Sequence, residues 1–421
     1  MKQKHVLYLS YDGMTDSLGQ SQVLPYIIEL TKKGYTFSII SFEKEEKFKQ
    51  NKNLIENICS QNNIDWHPKK YTKKPPILST IWDVFVMYQS SVKIHQRKKI
   101  DLIHCRSYQS ALIGEKMKAN YQIPWLFDMR GFWADERVDG NIWKLSNPIY
   151  KFIYNYYKKK EIDFFTDANG IISLTENGKK EIISWKDNES LPANFLNKKL
   201  DIEVIPCCVD TDLFNPNNIN IQIQEGLREE LKINKNDHII GYVGSIGTWY
   251  MLPEMLDFYK LLLLNLPNLR FLFVTNEKKE VIHQLASEKN IPLSNLIITS
   301  CQHKEVPIYI SLFDISIYFI LPAYSKKASS PTKQAELMAM GIPIICNTGV
   351  GDSSEIVLKT NSGWVVNTFN LNEYNEVIDQ INNESLQKNK TDIISHSKQL
   401  FDLQVGVKRY DDIYNRILLC L

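Results

Sequence analysis

The segment "SSPTKQAELMAMGIPIIC", residues 329–346, puts a lysine where a helix would begin. Ser330, Pro331 and Thr332 read as the helix start, with proline suited to the first turn and a hydroxyl available for capping. The N-terminal end of a helix is already electropositive, so Lys333 in its first turn is unfavourable unless an anion faces it. Free N–H groups and one amine converging on a point suit a diphosphate. Glu336, one turn further on, suits the hydroxyl groups of a ribose. The alternative is an ordinary amphipathic helix with a surface Lys and Glu.

Two glycine-bearing loops carry the same theme. "YDGMTDSLGQSQ" (11–22) follows the apolar run "HVLYLS", and "GYVGSIGTWY" (241–250) ends a second such run. In an open α/β sheet, ligands bind beyond the carboxyl ends of the strands. Gly13 and Gly19 in the first loop permit close backbone approach, or they only shape a turn. Gly244, Ser245 and Gly247 in the second let amide groups face a phosphate. Neither loop is a Gly-x-Gly-x-x-Gly fingerprint and no Walker A motif occurs, so Glu43 is a weak imitation of the ribose acid of a nicotinamide domain.

"FDMRGFWADER" (127–137) packs Asp128, Arg130, Asp135, Glu136 and Arg137 into one short span. Such a cluster either serves a reacting group or forms an internal salt-bridge network. His104 and Arg106 end another apolar run and could join it. "DTD" at 210–212 sits among turn residues, which favours a turn role over a metal motif.

The elements that must hold these residues alternate. Strand-like runs at 5–10, 35–41, 101–105, 124–129 and 170–174 are separated by helical patterns such as 77–98, 145–166 and 176–184. After an aperiodic stretch at 204–224 the alternation restarts at 238–245, 269–275, 295–300, 314–320 and 342–347. This predicts an α/β chain of two doubly wound parallel-sheet domains: 1–208 completed by a C-terminal helix at 401–421, and 209–400 with a linker at about 209–236.

Composition narrows the partners. The 421 residues carry 50 basic and 48 acidic side chains, a formal charge of +2, so no global charge asks for nucleic acid. Seven scattered cysteines contain no Cys-x-x-Cys pair, which fits a reducing cytosol. No membrane span is evident, and the first apolar run is too short for a signal peptide. The stretch 66–99 mixes lysines with Trp66, Tyr71, Trp82, Phe85 and Tyr88, a face suited to an anionic membrane or simply to solvent.

The run "YSKKASSPTKQAELMAMGIPIICNTGVGDSSEIV" (324–357) resembles the donor-binding region of retaining GT-B glycosyltransferases of family 4, the glycosyl transferases group 1. The resemblance extends in order through 11–44, "FDMRGFWADERVDG", "VIPCCVDTDLF" and "YVGSIGTWY". Its "SPTK" form is that of a subgroup found in bacterial surface-polysaccharide synthesis. The resemblance implies two Rossmann-like domains facing each other across a cleft that holds a nucleotide-sugar, UDP- or GDP-linked. It places Ser330, Pro331, Thr332 and Lys333 at the diphosphate, Glu336 at the ribose, Gly244 and Ser245 opposite, Cys301 and Gln302 around the base, and Gly19 approaching from the first domain. Arg130, Asp135 and Glu136 then face the reacting sugar or the acceptor, with Lys333 aiding departure of the diphosphate. No metal and no cofactor are required. The acceptor would be a glycan or polyprenyl-linked glycan, and the enzyme cytoplasmic or peripheral on the inner face of the plasma membrane. A GT-B epimerase and a non-catalytic nucleotide-sugar-binding subunit are the alternatives.

Two departures from the resemblance bear on the site. Many relatives have two glutamates separated by seven residues, the later one being the ribose acid; the position of the earlier one is Ala328 in this chain. Relatives also often carry Arg and Lys after the second glycine loop; here "TWYMLPEM" (248–255) stands instead, leaving the charge to Lys333 with Lys326 or Lys327.

Overall fold

The computed structural model describes residues 3–419 apart from Ser385 and Gln387. The chain divides into two compact units, 1–206 with 403–421, and 207–402. The first contains β1 (Lys4–Ser10), β2 (Tyr35–Glu43), β3 (Ile64–Lys70), β4 (Leu102–Arg106), β5 (Trp125–Asp128), β6 (Gly170–Ser173) and β7 (Ile202–Val204). The second contains β8 (His238–Val243), β9 (Leu269–Val274), β10 (Leu296–Thr299), β11 (Ile315–Tyr318), β12 (Ile344–Asn347) and β13 (Gly363–Val366). All named pairings are parallel; Val6, for example, registers with Phe37 on one side and Leu102 on the other.

The sheet orders are β3-β2-β1-β4-β5-β6-β7 and β10-β9-β8-β11-β12-β13. In both, the chain reverses its direction of travel beside the first strand. Connections leave β1 and β4 to opposite sides, and likewise β8 and β11, which opens a crevice at the carboxyl ends of those strands. Helices cover both faces, so the central strands are buried almost throughout: six of the seven residues of β1 and five of the six of β8 are buried.

The helices that matter below are α1 (Ser17–Gln22), α2 (Leu24–Lys32), α3 (Glu45–Gln61), α4 (Leu78–Arg97), α5 (Ser107–Tyr121), α6 (Trp133–Asp139), α7 (Pro148–Asp167), α8 (Leu252–Asn265), α9 (Thr332–Ala339), α10 (Lys390–Phe401) and α11 (Leu403–Leu419). Asp402, extended at φ −62° and ψ 136°, separates α10 from α11. The apolar stripe of α11 is satisfied inside the first unit. Val407, Tyr410, Ile413, Tyr414 and Ile417 are buried there, and Tyr35 donates to Asp411 at 2.8 Å. Cys420 and the end of the expected tail helix, 420–421, lie outside the described residues.

Three strands were not evident from the sequence. β7 is three residues long, too short to show a period, and β13 is the four-residue run Gly363–Val366. β3 falls within the stretch read as one basic, aromatic face. It is an edge strand with only Ile64 buried, and the edge tolerates its Pro68. The stretch expected as a linker also holds a helix at Ile221–Glu230.

Candidate functional site

α9 follows β11, at the crevice of the second sheet. Pro331 is its N-cap, and no side chain caps its first turn. This corrects the expectation of a hydroxyl cap with proline inside the helix: Ser330 Oγ instead accepts the N–H of Cys207 at 3.2 Å. Proline has no side-chain acceptor to offer the N–H groups of the first turn. Gly341, at φ +71°, terminates the helix in the left-handed region before β12.

Lys333 is not the surface residue of the bland reading. It is 6% exposed, and its Nζ is buried without a hydrogen-bond partner. The amine lies 4.0 Å from the centroid of the Tyr242 ring and 3.7 Å from that of Tyr250. Burial drives its pKa well below that of an ordinary lysine, with only Glu336 opposing. The glycine loop meets it. Gly244 stands at φ +108°, and a Cβ built there would be 3.5 Å from Lys333 Nζ.

The second glycine loop is stiffened from within. Ser245 Oγ donates to Glu277 at 3.1 Å and accepts from the N–H of Gly247 at 3.2 Å. Residues 249–251 then lie antiparallel to 319–321: Met251 N donates to Phe319 O at 3.0 Å and Leu321 N to Trp249 O at 2.9 Å. Asn347, at the end of β12, pairs with both the N–H and the carbonyl of Ile320 at 2.8 Å. This ladder fixes Trp249 and Tyr250, and the Trp249 ring lies 3.6 Å from Lys326 Nζ.

Glu336 is nearly buried, with Oε1 3.4 Å from His303 Nε2. His303 belongs to the loop that holds Cys301 and Gln302, so that loop is brought beside α9. Gln302 and Glu305 cap each other reciprocally, with Gln302 N donating to Glu305 at 2.9 Å. The Cys301 thiol is pushed up to about 11 by burial. Ala328 is fully buried, so the position where relatives carry a glutamate is taken up in packing here.

The first glycine loop behaves differently. Glu43, at the end of β2, is 3% exposed and turns into it, accepting from Met14 N at 2.9 Å, Thr15 N at 3.0 Å and the hydroxyls of Thr15 and Ser41. A Cβ on Gly13 would sit 2.6 Å from Glu43 Oε2. Gly19 lies in α1, and a Cβ there would fall 2.3 Å from the Gly13 carbonyl oxygen. Both glycines thus serve the packing of their own loop. This is the turn-shaping role weighed for the two glycines.

Asp128 ends β5, wholly buried, with His104 Nε2 at 3.3 Å, Tyr410 Oη at 3.2 Å, Arg130 Nη1 at 3.7 Å and Arg106 Nη1 at 4.0 Å. Its pKa is about 2: burial acts to raise it, but Arg130, His104 and Arg106 together outweigh burial. Arg130 itself stands at φ +61°, a left-handed conformation uncommon outside glycine. His104 also meets Tyr414 Oη at 2.6 Å, and burial lowers its pKa. Asp135 turns inward to Tyr154 at 2.8 Å and Lys158 at 2.9 Å, and Lys158 continues to Glu161. That is the internal salt-bridge network weighed as the alternative for this segment. Glu136 is partly exposed on α6 beside it. In the "DTD" segment, Asp210 Oδ1 accepts from the N–H groups of Asp212 and Leu213, a turn role.

Residues 223–399 match the family Glycosyl transferases group 1. The solved structures that resemble the whole chain agree in fold. Sucrose-phosphate synthase from Thermosynechococcus elongatus superposes with a TM-score of 0.72 at 14% identity, covering 100% of both chains. HepE from Anabaena, solved with UDP and glucose, gives 0.69 at 13%, covering 97% of this chain and 99% of its own. WaaG, a glycosyltransferase involved in lipopolysaccharide biosynthesis, gives 0.60 at 14%, covering 97% and 99%. A comparison with curated protein sequences gives no match. The fold is GT-B, with two Rossmann-like parallel-sheet domains.

In the group 1 region, the residues singled out in sequence as 244–245, 301–302 and 330–336 all come to the carboxyl end of one sheet. Sequence reasoning missed Tyr242, Tyr250 and His303. The first two flank the glycine loop in "GYVGSIGTWY", and their aromaticity next to a phosphate-type loop was the available signal. Among the described residues no group of three or more His, Cys, Asp or Glu side chains could hold a metal ion, and no helix is long and apolar enough to cross a membrane.

Proposed function

We propose that the protein is a glycosyltransferase that moves a sugar, with retention, from a UDP- or GDP-sugar to a hydroxyl of a glycan or polyprenyl-linked glycan. The observation that carries this reading is the Lys333 amine, buried without a hydrogen bond at an uncapped helix tip, under a glycine at φ +108°. That arrangement lacks one component, an anion. The diphosphate of a nucleotide-sugar supplies it, with Gly244 and Ser245 on one side and Thr332–Lys333 on the other. Glu336, with His303 beside it, is assigned to the ribose, and the Cys301–Gln302 backbone to the base.

When the bond from the anomeric carbon to the diphosphate oxygen breaks, negative charge grows on the leaving group. Preorganised N–H groups and an ammonium stabilise that charge without reorganising. The acceptor oxygen bonds to the same face of the sugar, and its proton passes to the departing phosphate oxygen. No metal is needed for this balance. Arg130 is assigned to the donor phosphate or sugar and Glu136 to orienting the acceptor hydroxyl. Asp135, committed to Lys158, is not.

A lipid-linked acceptor and a peripheral membrane location draw support from α4. Its inner face buries Asp83, which accepts from Tyr11 Oη at 2.9 Å and Thr72 N at 3.1 Å. Its outer face exposes Leu78, Ile81, Trp82 and Phe85 at helical spacing, beside exposed Lys70, Lys73 and Lys74. Of the aromatic residues noted in 66–99, Trp66, Tyr71 and Tyr88 are engaged within the protein, so the face narrows to these four apolar residues. Anionic liposomes at low salt should pellet the protein, and Trp82→Ser should reduce the bound fraction; equal pelleting would remove the membrane from the proposal. The activity itself is tested by screening nucleotide-sugars by thermal shift and following sugar transfer. A stabilising donor that is never hydrolysed or transferred would favour the non-catalytic binding subunit.

A further inference from the structure

Lys333 is an unusual choice for holding a diphosphate, because a buried amine with no partner tends to lose its proton. The groups facing it explain why the arrangement persists. Glu336 stands one turn on in α9, with His303 beyond it. Tyr242 faces the amine from β8, Tyr250 from the segment before α8, and Tyr318 from β11, with its ring centroid 6.0 Å away. Glu277 approaches only the rim of the loop, through Ser245. Among the described residues no carboxylate hydrogen-bonds the amine, and two ring faces meet it.

We propose that Tyr250, together with Tyr242, is a positioning residue for the diphosphate site, its ring holding the Lys333 amine beneath Gly244 as an ammonium ion ready for the ligand. This rests on the donor reading above and extends it. A carboxylate partner would also keep the amine charged, but its own charge would then oppose the incoming diphosphate. A ring face stabilises the cation by its quadrupole and adds no net charge. It also leaves the amine's N–H groups uncommitted, so no hydrogen bond is broken when the phosphate oxygens arrive. Both rings are held independently of Lys333. Tyr250 sits in the 249–251/319–321 ladder, and Tyr242 Oη donates to the Ser245 carbonyl.

The test is calorimetry of UDP and GDP, using whichever wild-type protein binds more tightly, from pH 6.5 to 9. Tyr250→Phe keeps the ring and should bind within about twofold of wild type. Tyr250→Leu keeps the bulk but removes the quadrupole, and should bind about tenfold more weakly at pH 8. Its deficit should grow with pH, because the amine gives up its proton more readily; a mere packing defect would weaken binding equally at every pH. Tyr250→Met replaces Leu should that variant fail to melt cooperatively. Wild-type affinity and pH profile in the Leu or Met variant would overturn the role of Tyr250. Failure of wild-type protein to bind either nucleotide, or undiminished binding by Lys333→Met, would overturn the donor reading beneath it.

Discussion

The loops after β1 and β8 begin alike, each with glycines at the end of a central strand, yet they differ in what occupies the space the glycines leave. In the first unit that space is filled by the protein: Glu43 by Gly13, and the Gly13 carbonyl by Gly19. In the second, the room beside Gly244 opens toward a lysine that has no hydrogen-bond partner. A glycine at a strand end therefore reports close approach, and only the neighbours say whether a ligand or the chain itself approaches. The polar groups tell the two cases apart. Glu43 has four donors, whereas Lys333 Nζ has no acceptor.

Substitutions can break this comparison. The largest effect is expected at Lys333: Ala there should cut sugar transfer by about 10²–10³-fold, as loss of a donor to developing charge does. Glu43→Gln should leave nucleotide affinity unchanged, and a nucleotide-binding loss in that variant would make the two loops equivalent after all. Next, Gly19→Ala should destabilise the protein by about 3 kcal/mol in denaturant melts, because a methyl group meets backbone that cannot move aside. Gly244→Ala should cost about 1–2 kcal/mol from its left-handed backbone, while weakening UDP or GDP binding far more than Gly19→Ala does. Equal binding losses in the two variants would erase the distinction.

Glu43→Gln sharpens the contrast on a smaller scale. The amide keeps one acceptor and turns two donors toward groups that are themselves donors, so about 2 kcal/mol of stability should be lost. The smallest effect is a gain. Burial lowers the pKa of Lys333 in the folded state, so the unfolded chain binds more protons between that value and the ordinary lysine range. Stability should rise with pH across this window and be lowest below it, where the buried amine must carry its charge. Lys333→Met should therefore raise the melting temperature of the ligand-free protein, most at the lower pH values, with the gain shrinking toward pH 10. A lower melting temperature for Lys333→Met at neutral pH would mean that the two tyrosine rings more than offset the burial of the ammonium in the ligand-free protein.

The alternation of apolar runs and helical patterns was enough to read two doubly wound α/β domains, because parallel strands covered on both faces must be apolar almost throughout. The three-residue β7 and the polar edge strand β3 escaped it for want of a long apolar run, and the four-residue β13 was missed although it is apolar and largely buried. Residue types and positions likewise placed Lys333, Gly244 and Glu336 in one site, because strand ends in such a sheet are where ligands go. Sequence could not assign Asp128, Arg130 and Asp135 within one eleven-residue segment. Tertiary structure separated them: Asp135 turns to Lys158, while Asp128 gathers Arg130 from its own loop and His104 and Arg106 from the neighbouring β4. Nor could it foresee that Glu43 closes one glycine loop while two tyrosine rings keep the lysine of the other free of hydrogen bonds. Local pattern determines which backbone can form. Which polar atoms remain unsatisfied depends on partners distant in the chain, and that decides where a ligand is needed.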